Sequence, residues 1–187
     1  MLIIYFIVLL LCLIVFLGFI LFFFVQLLTQ FTADAPFIGV PEKILNEVVK
    51  ALDLNENSVL YDLGCGDGRV LTEAIKNHPQ IRAVGVEIAS FPYYLAKFHT
   101  RKYKNIEIKR ENIFKTDISK ATHIFLYLYP KVIDRLFARI REQCRPGTII
   151  VSCDFEIKNF SPIKVIDLSN INPDSNRGKK LYIYKIS

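Results

Sequence analysis

The stretch Asp62-Leu63-Gly64-Cys65-Gly66-Asp67-Gly68 gathers residue types that serve a ligand rather than a core. Gly64 and Gly66 remove Cβ atoms where the backbone must turn sharply and a ligand must come close, and a helix starting after them offers unpaired N–H groups. A dinucleotide fingerprint would place its third glycine at position 69, which is Arg69; the third glycine here is Gly68. Asp62 and Asp67 flank the loop and suit a ligand bearing an ammonium group better than one bearing a pyrophosphate. S-adenosylmethionine has that ammonium. About 20 residues downstream, Glu87 ends the apolar run Arg82-Ala83-Val84-Gly85-Val86, where a carboxylate can accept both ribose hydroxyls. A solvated strand end is the competing reading of Glu87.

These residues resemble motif I of the class I (seven-strand) S-adenosylmethionine-dependent methyltransferases. The resemblance implies cofactor contacts from Asp62, Gly64, Cys65, Gly66, Asp67 and Glu87. It also puts Asn112 where these enzymes usually have an Asp that accepts from the adenine amino group, with Glu111 as the fallback. Asn can accept through its carbonyl oxygen, or it can simply hold its own loop backbone. Ile113 and Phe114 pack on the adenine or belong to the core.

The run Leu126-Tyr127-Leu128-Tyr129-Pro130 ends a strand at the carboxyl edge of the sheet, where open α/β folds bind ligands. It lacks the Asn/Asp-Pro-Pro-Tyr that amino-methylating enzymes of adenine and glutamine amides often carry, and it has no cysteine for pyrimidine C5 methylation. Both nucleic-acid chemistries lose weight. Tyr127 and Tyr129 are candidates to line an acceptor channel, or one of them only packs. Asp154 and Glu156 follow the fifth strand and either hold an incoming ammonium or are ordinary loop acids. Cys12, Cys65, Cys144 and Cys153 form no C-x-x-C pair, and His78, His99 and His123 are scattered, so no metal is assigned.

The elements that must position these residues follow from apolar periodicity. Ile44, Leu45, Val48, Val49 and Leu52 recur at helical spacing after Pro41, which is well placed as a first helical residue. Val70, Leu71, Ala74 and Ile75 give the helix after the loop an apolar face. A further helix from about Phe91 to Tyr103 carries Tyr94, Leu95 and Phe98 on one side, and Val132, Ile133, Leu136, Phe137 and Ile140 stripe another after Pro130. Short strands at Ile106 to Ile108, Thr122 to Leu128 and Thr148 to Cys153 alternate with these helices, whereas Ile163 to Leu168 and Leu181 to Ile186 have no helical pattern between them. The pattern predicts an α/β, Rossmann-like, mostly parallel seven-stranded sheet with a terminal antiparallel pair at one edge.

Ahead of that domain, Leu2 to Val25 is uncharged and no charged side chain precedes Asp34. At about 1.5 Å per residue this run spans a hydrocarbon core of about 30 Å as one helix. Ala33-Asp34-Ala35 has the look of a signal-cleavage site, but the run is longer than an h-region and has no basic n-region. The expected organisation is an anchor over 1–30, a connector and leading helix over 31–57, and the S-adenosylmethionine-binding domain over 58–187. Lys43 is the one basic residue near the span, and it biases the large domain to the cytoplasmic side. The net charge of +6 belongs to that domain, with Lys97, Arg101, Lys102, Lys104, Lys109 and Arg110 crowded around Glu107. A solvated face is the simplest reading of this crowd; a patch against anionic lipid comes second and a nucleic-acid footprint third.

From Ala35-Pro36-Phe37 through Pro146-Gly147-Thr148 to Asp154-Phe155 the chain is similar to a subgroup, the membrane-anchored protein-lysine methyltransferases. Their mitochondrial members modify the adenine nucleotide translocase and the c-ring protein of the ATP synthase, and they have prokaryotic relatives. That similarity implies methyl transfer to a lysine at a membrane. A methyltransferase of a lipid-soluble small molecule and a non-catalytic tethered module are the alternatives.

Overall fold

Side chains that alternate along the strands divide the core into two layers with a sheet between them. The computed structural model describes residues 1–31 and 38–187, so the connector 32–37, with Ala33-Asp34-Ala35 and Ala35-Pro36-Phe37, lies outside the described residues. Strands β1 (Val59–Leu63), β2 (Arg82–Val86), β3 (Ile106–Lys109), β4 (His123–Leu126) and β5 (Ile149–Cys153) run parallel. With β6 (Lys164–Asp167) and β7 (Lys180–Lys185) they form a seven-stranded sheet in the order β3-β2-β1-β4-β5-β7-β6. The expected antiparallel pair is present at one edge. Within it β7 lies inside, with Val151 opposite Ile183, because Leu181 through Tyr184 are apolar on both faces; Lys164 and Val165 of β6 are exposed at the rim.

Leu60, Phe125 and Val151 face one layer and pack with helices α2 (Leu45–Leu52) and α3 (Arg69–Asn77). Tyr61, Ile124 and Ile150 face the other, where α5 (Pro130–Gln143) buries Val132, Ile133, Leu136, Phe137 and Ile140, all five as expected. Each such side chain contributes about 1.5–3 kcal/mol on burial. The leading helix α2 buries Val48, Val49 and Leu52 in the first layer, so it shares the core with the sheet. Pro41 is the cap residue of a 3-10 turn, Glu42–Ile44, rather than the first residue of α2. Two compact units result, Met1–Pro36 and Phe37–Ser187.

Helix α4 (Ser90–Thr100) turns its large aromatics away from the core. Its Tyr94 and Phe98 side faces solvent, at 62% and 60% exposure, and the buried side is Pro92, Ala96 and Thr100. These small side chains let α4 approach the glycine loop, where a Cβ built at Gly68 would lie 3.4 Å from Ala96 Cβ and 3.2 Å from Thr100 Cγ2. Large aromatics could not occupy that face at this distance.

The first unit contains α1 (Leu2–Phe31), whose segment Leu2–Val25 is a single apolar run of 24 residues. By length and composition that segment is apolar enough to cross a membrane.

Candidate active site

At the carboxyl end of β1 the chain turns through three glycines with left-handed backbone, Gly64 at φ 85°, Gly66 at 56° and Gly68 at 76°. An L-residue is strained in that region, which is why glycine recurs here. The loop's amides are already engaged: Gly64 N–H and Cys65 N–H donate to the Val86 carbonyl at 2.8 and 3.0 Å, and Gly68 N–H donates to the Cys65 carbonyl at 2.9 Å. Gly66 N–H donates to Glu87 Oε2 at 3.1 Å, and Arg69 N–H to Asp67 Oδ1 at 3.3 Å. A phosphate cradle needs such amides free, so the loop is not built for one.

Its acids suit a cation instead. Asp62 is 3% exposed and lines a pocket with Gly64, Gly66, Asp67 and Tyr127, and its carboxylate accepts no hydrogen bond among the described residues. Burial pushes its carboxyl well above the ordinary range, and Glu87 and Asp67 nearby add to the shift. A buried acid without a donor, opening on a pocket, fits a ligand ammonium. Glu87 sits at the neighbouring strand end, where its Oε1 accepts from Ala89 N–H at 2.8 Å while Oε2 holds Gly66; burial raises this carboxyl too. Each oxygen keeps a lone pair for a ribose hydroxyl.

The family model described as the ANTKMT methyltransferase domain matches residues 62–164, from the first acid of this loop to the start of β6. The chain belongs to that family. It is 31% identical over 160 residues to a protein-lysine N-methyltransferase of Saccharolobus islandicus, covering 84% of this chain and 97% of that protein. A lysine N-methyltransferase of Caenorhabditis elegans, named for the C-type subunit of the ATP synthase, is 27% identical over 131 residues, 65% of this chain and 67% of that one. Among solved structures, an RNA methyltransferase from Salinibacter ruber in complex with S-adenosyl-L-homocysteine superposes with a TM-score of 0.72 at 32% identity, covering 80% and 94% of the two chains. This family member is therefore an S-adenosylmethionine-dependent methyltransferase, and S-adenosylmethionine is its cofactor.

Around the pocket the candidate residues divide into those the fold brings together and those it does not. Asp62, Gly64, Cys65, Gly66, Asp67 and Tyr127 line one cavity, and Glu87 is bonded to its loop. The Cys65 thiol belongs to the first core layer, and burial holds it well above its ordinary pKa. Asn112 is not part of that lining; its Oδ1 accepts from Phe114 N–H at 2.8 Å, so it braces its own turn and has one lone pair left. Ile113 is half-buried and packs on the second layer.

Tyr127 donates its hydroxyl to Asp154 Oδ2 at 3.2 Å, and burial raises the phenol far enough to keep it neutral. Both oxygens of Asp154 are engaged by the β7 approach, Oδ2 by Gly178 N–H at 2.6 Å and Oδ1 by Lys179 N–H at 2.6 Å. Asp154 thus fixes Tyr127 and has little capacity to receive an ammonium itself. Tyr129 is exposed at the N-terminus of α5, its ring tilted toward Phe155 with centroids 6.4 Å apart.

Three further contributions emerge from the structure. Arg69 grips Asp67 through Nε and Nη2, at 2.9 Å to Oδ1 and 2.7 Å to Oδ2, and donates from Nη1 to the Val40 carbonyl at 2.9 Å. Ile38, Gly39 and Val40 thereby become a wall of the pocket. Gly85 leaves room beneath the loop, since a Cβ there would sit 2.7 Å from Cys65 Sγ and 2.6 Å from Leu71 Cδ1. A lone glycine inside an apolar strand signals such an approach; the wall from Ile38 to Val40 has no comparable local signal.

Proposed function

We propose that this methyltransferase modifies the ε-amine of protein lysines at a membrane surface, with residues 1–30 as a single-pass anchor and the catalytic unit on the cytoplasmic side. In this reading Asp62 holds the cofactor ammonium, Gly64 through Asp67 surround it, and Glu87 accepts the ribose hydroxyls. Asn112 and Ile113 border the adenine. When bound, S-adenosylmethionine supplies an electrophilic methyl on a sulfonium. The chain's own task is to align the acceptor with it and to exclude water.

The observation that carries the lysine reading is Tyr127, which lines the pocket while its hydroxyl is fixed on Asp154, an acid already committed to backbone amides. A lysine must lose its proton, from an ordinary pKa of about 10.4, before it can attack. In this reading an acceptor channel lined by Tyr127 and Tyr129 disfavours the ammonium and so promotes that loss, with no separate base. The lysine specificity in the names of the Saccharolobus and Caenorhabditis relatives supports the same acceptor, whereas the name of the Salinibacter neighbour makes RNA the second reading. Full-length protein incubated with host membranes, ribosomal RNA and radiolabelled S-adenosylmethionine distinguishes them. Label is expected on a membrane-protein lysine, identified by mass spectrometry; label confined to RNA or to extractable small molecules overturns the assignment.

The raised carboxyls give a pH signature. Because burial lifts Asp62 and Glu87 above their ordinary values, the unliganded fold binds more protons than the unfolded chain across that interval. Their contribution to stability is present below it and is lost as pH rises through the raised values. An ammonium beside Asp62 reverses the balance, so cofactor binding should release protons and tighten as pH rises through the same interval. Calorimetry in buffers of different ionisation enthalpy should show a buffer-dependent heat within that interval. Identical heats in all buffers would remove Asp62 from the site.

A further inference from the structure

Helix α4 presents solvent with a stripe that a water-exposed helix does not need. Phe91, Tyr94 and Phe98 follow one another at helical spacing and are 59%, 62% and 60% exposed. Their side lies opposite the buried Pro92, Ala96 and Thr100, of which Ala96 and Thr100 pack on the glycine loop. Grouped large aromatics of this kind mark a contact surface, whereas scattered ones need no explanation.

Charge says what the contact is. No acidic residue occurs between Ser90 and Lys104, while Lys97, Arg101, Lys102 and Lys104 all project into solvent. Among the described residues none of the four joins an ion pair. The Arg101 guanidinium instead lies over the Phe98 ring, 3.8 Å from its centroid, and Lys97 lies 5.7 Å from that of Tyr93. Cations held against aromatic faces pair apolar surface with positive charge in one patch. This is the composition of helices that rest in the headgroup region of anionic bilayers.

Geometry brings a bilayer within reach. Between Phe31, where the apolar helix ends, and Ile38 the chain has only seven residue steps, about 25 Å at full extension. We propose that the Phe91, Tyr94, Phe98 face of α4, with Lys97, Arg101 and Lys102 beside it, docks on an anionic lipid surface and fixes the orientation of the catalytic unit there. Ser90, the first residue of α4, stands three positions after Glu87. Docking therefore holds the cofactor edge of the sheet beside the headgroups, where a membrane-protein lysine emerges. The inference rests on the membrane-anchor part of the proposed function, not on the identity of the acceptor.

The chain has no tryptophan, so Phe98→Trp in the full-length protein gives a single reporter, and Val165→Trp on the exposed rim strand β6 gives a control. Both are reconstituted in vesicles of phosphatidylcholine with or without phosphatidylglycerol, each containing brominated phosphatidylcholine as a contact quencher. Phe98→Trp should lose about half of its emission in the anionic vesicles only, and high salt or the added pair Lys97→Glu and Arg101→Glu should restore it. Val165→Trp should stay bright in both. An unquenched Phe98→Trp in anionic vesicles overturns the docking, as does equal quenching in neutral ones. Shielding that appears only when a membrane-protein acceptor is added also overturns it, in favour of a protein contact. Flotation separates the two layers of the argument: protein that fails to float with vesicles defeats the anchor and the docking together, and protein that floats with a bright Phe98→Trp defeats the docking alone.

Discussion

Glu87→Ala should weaken binding of S-adenosylmethionine and S-adenosylhomocysteine by about two to three orders of magnitude. Glu87 is 9% exposed, and in the proposed reading its carboxylate works in two directions at once. Toward the protein it receives Gly66 N–H and Ala89 N–H, which ties the glycine loop to the end of β2. Toward the ligand it offers the remaining lone pairs to two hydroxyls. Each charge-assisted hydrogen bond contributes about 1.5–3 kcal/mol, so loss of two accounts for the expected range. Glu87→Gln keeps an acceptor and the length of the side chain, and it should fall between wild type and alanine. Circular dichroism of the alanine variant should retain the wild-type spectrum, because the seven-stranded core does not depend on this side chain. Binding of the alanine variant within threefold of wild type, measured by calorimetry, would mean that the ribose is held elsewhere.

Glu87 also shows how far the placement of the candidate residues is legible in the sequence. An acid that ends one apolar strand, placed after a glycine loop that ends another, fixes the relation of two parallel neighbours before any coordinates exist, and β1 and β2 do pair in parallel with Leu63 opposite Val86. Local patterning extends that far and no further. The aromatic residues of α4 have the helical spacing of a buried stripe, and only the neighbours reveal that Ala96 and Thr100, not Tyr94 and Phe98, meet the loop. Arg69 illustrates the same limit. In the sequence it appears only as the residue that breaks a dinucleotide fingerprint, whereas in the fold its guanidinium joins Asp67 to a carbonyl 29 positions earlier. Asp154 follows suit: loop acidity suggests a substrate contact, and the partners that engage it arrive from the distant approach to β7. What the sequence hides is tertiary contact between segments whose local composition does not announce it.

Removing Met1 to Phe31 should leave cofactor affinity within about twofold of the full-length value while slowing methylation of membrane-embedded acceptors by about two orders of magnitude. Affinity is preserved because, among the described residues, the pocket lining starts at Ile38 and the acids that face it lie from Asp62 onward. Rate falls because a short tether gives two partners in one bilayer an effective concentration of about millimolar, whereas a freed enzyme must find the same acceptor from solution. Extending the deletion through Val40 should do something different. It removes the carbonyl that receives Arg69 Nη1 and the Ile38-Gly39 wall, leaving the Asp67 grip incomplete, so cofactor binding itself should weaken. The two truncations therefore separate reach from pocket integrity. They are compared by calorimetry with S-adenosylhomocysteine and by transfer of radiolabelled methyl groups to membranes and to a soluble acceptor peptide. The shorter deletion should spare the peptide reaction, and the longer one should impair both. If the Met1 to Phe31 deletion labels the same membrane species at the full-length rate, the apolar helix only addresses the protein to its compartment and does not set its choice of acceptor.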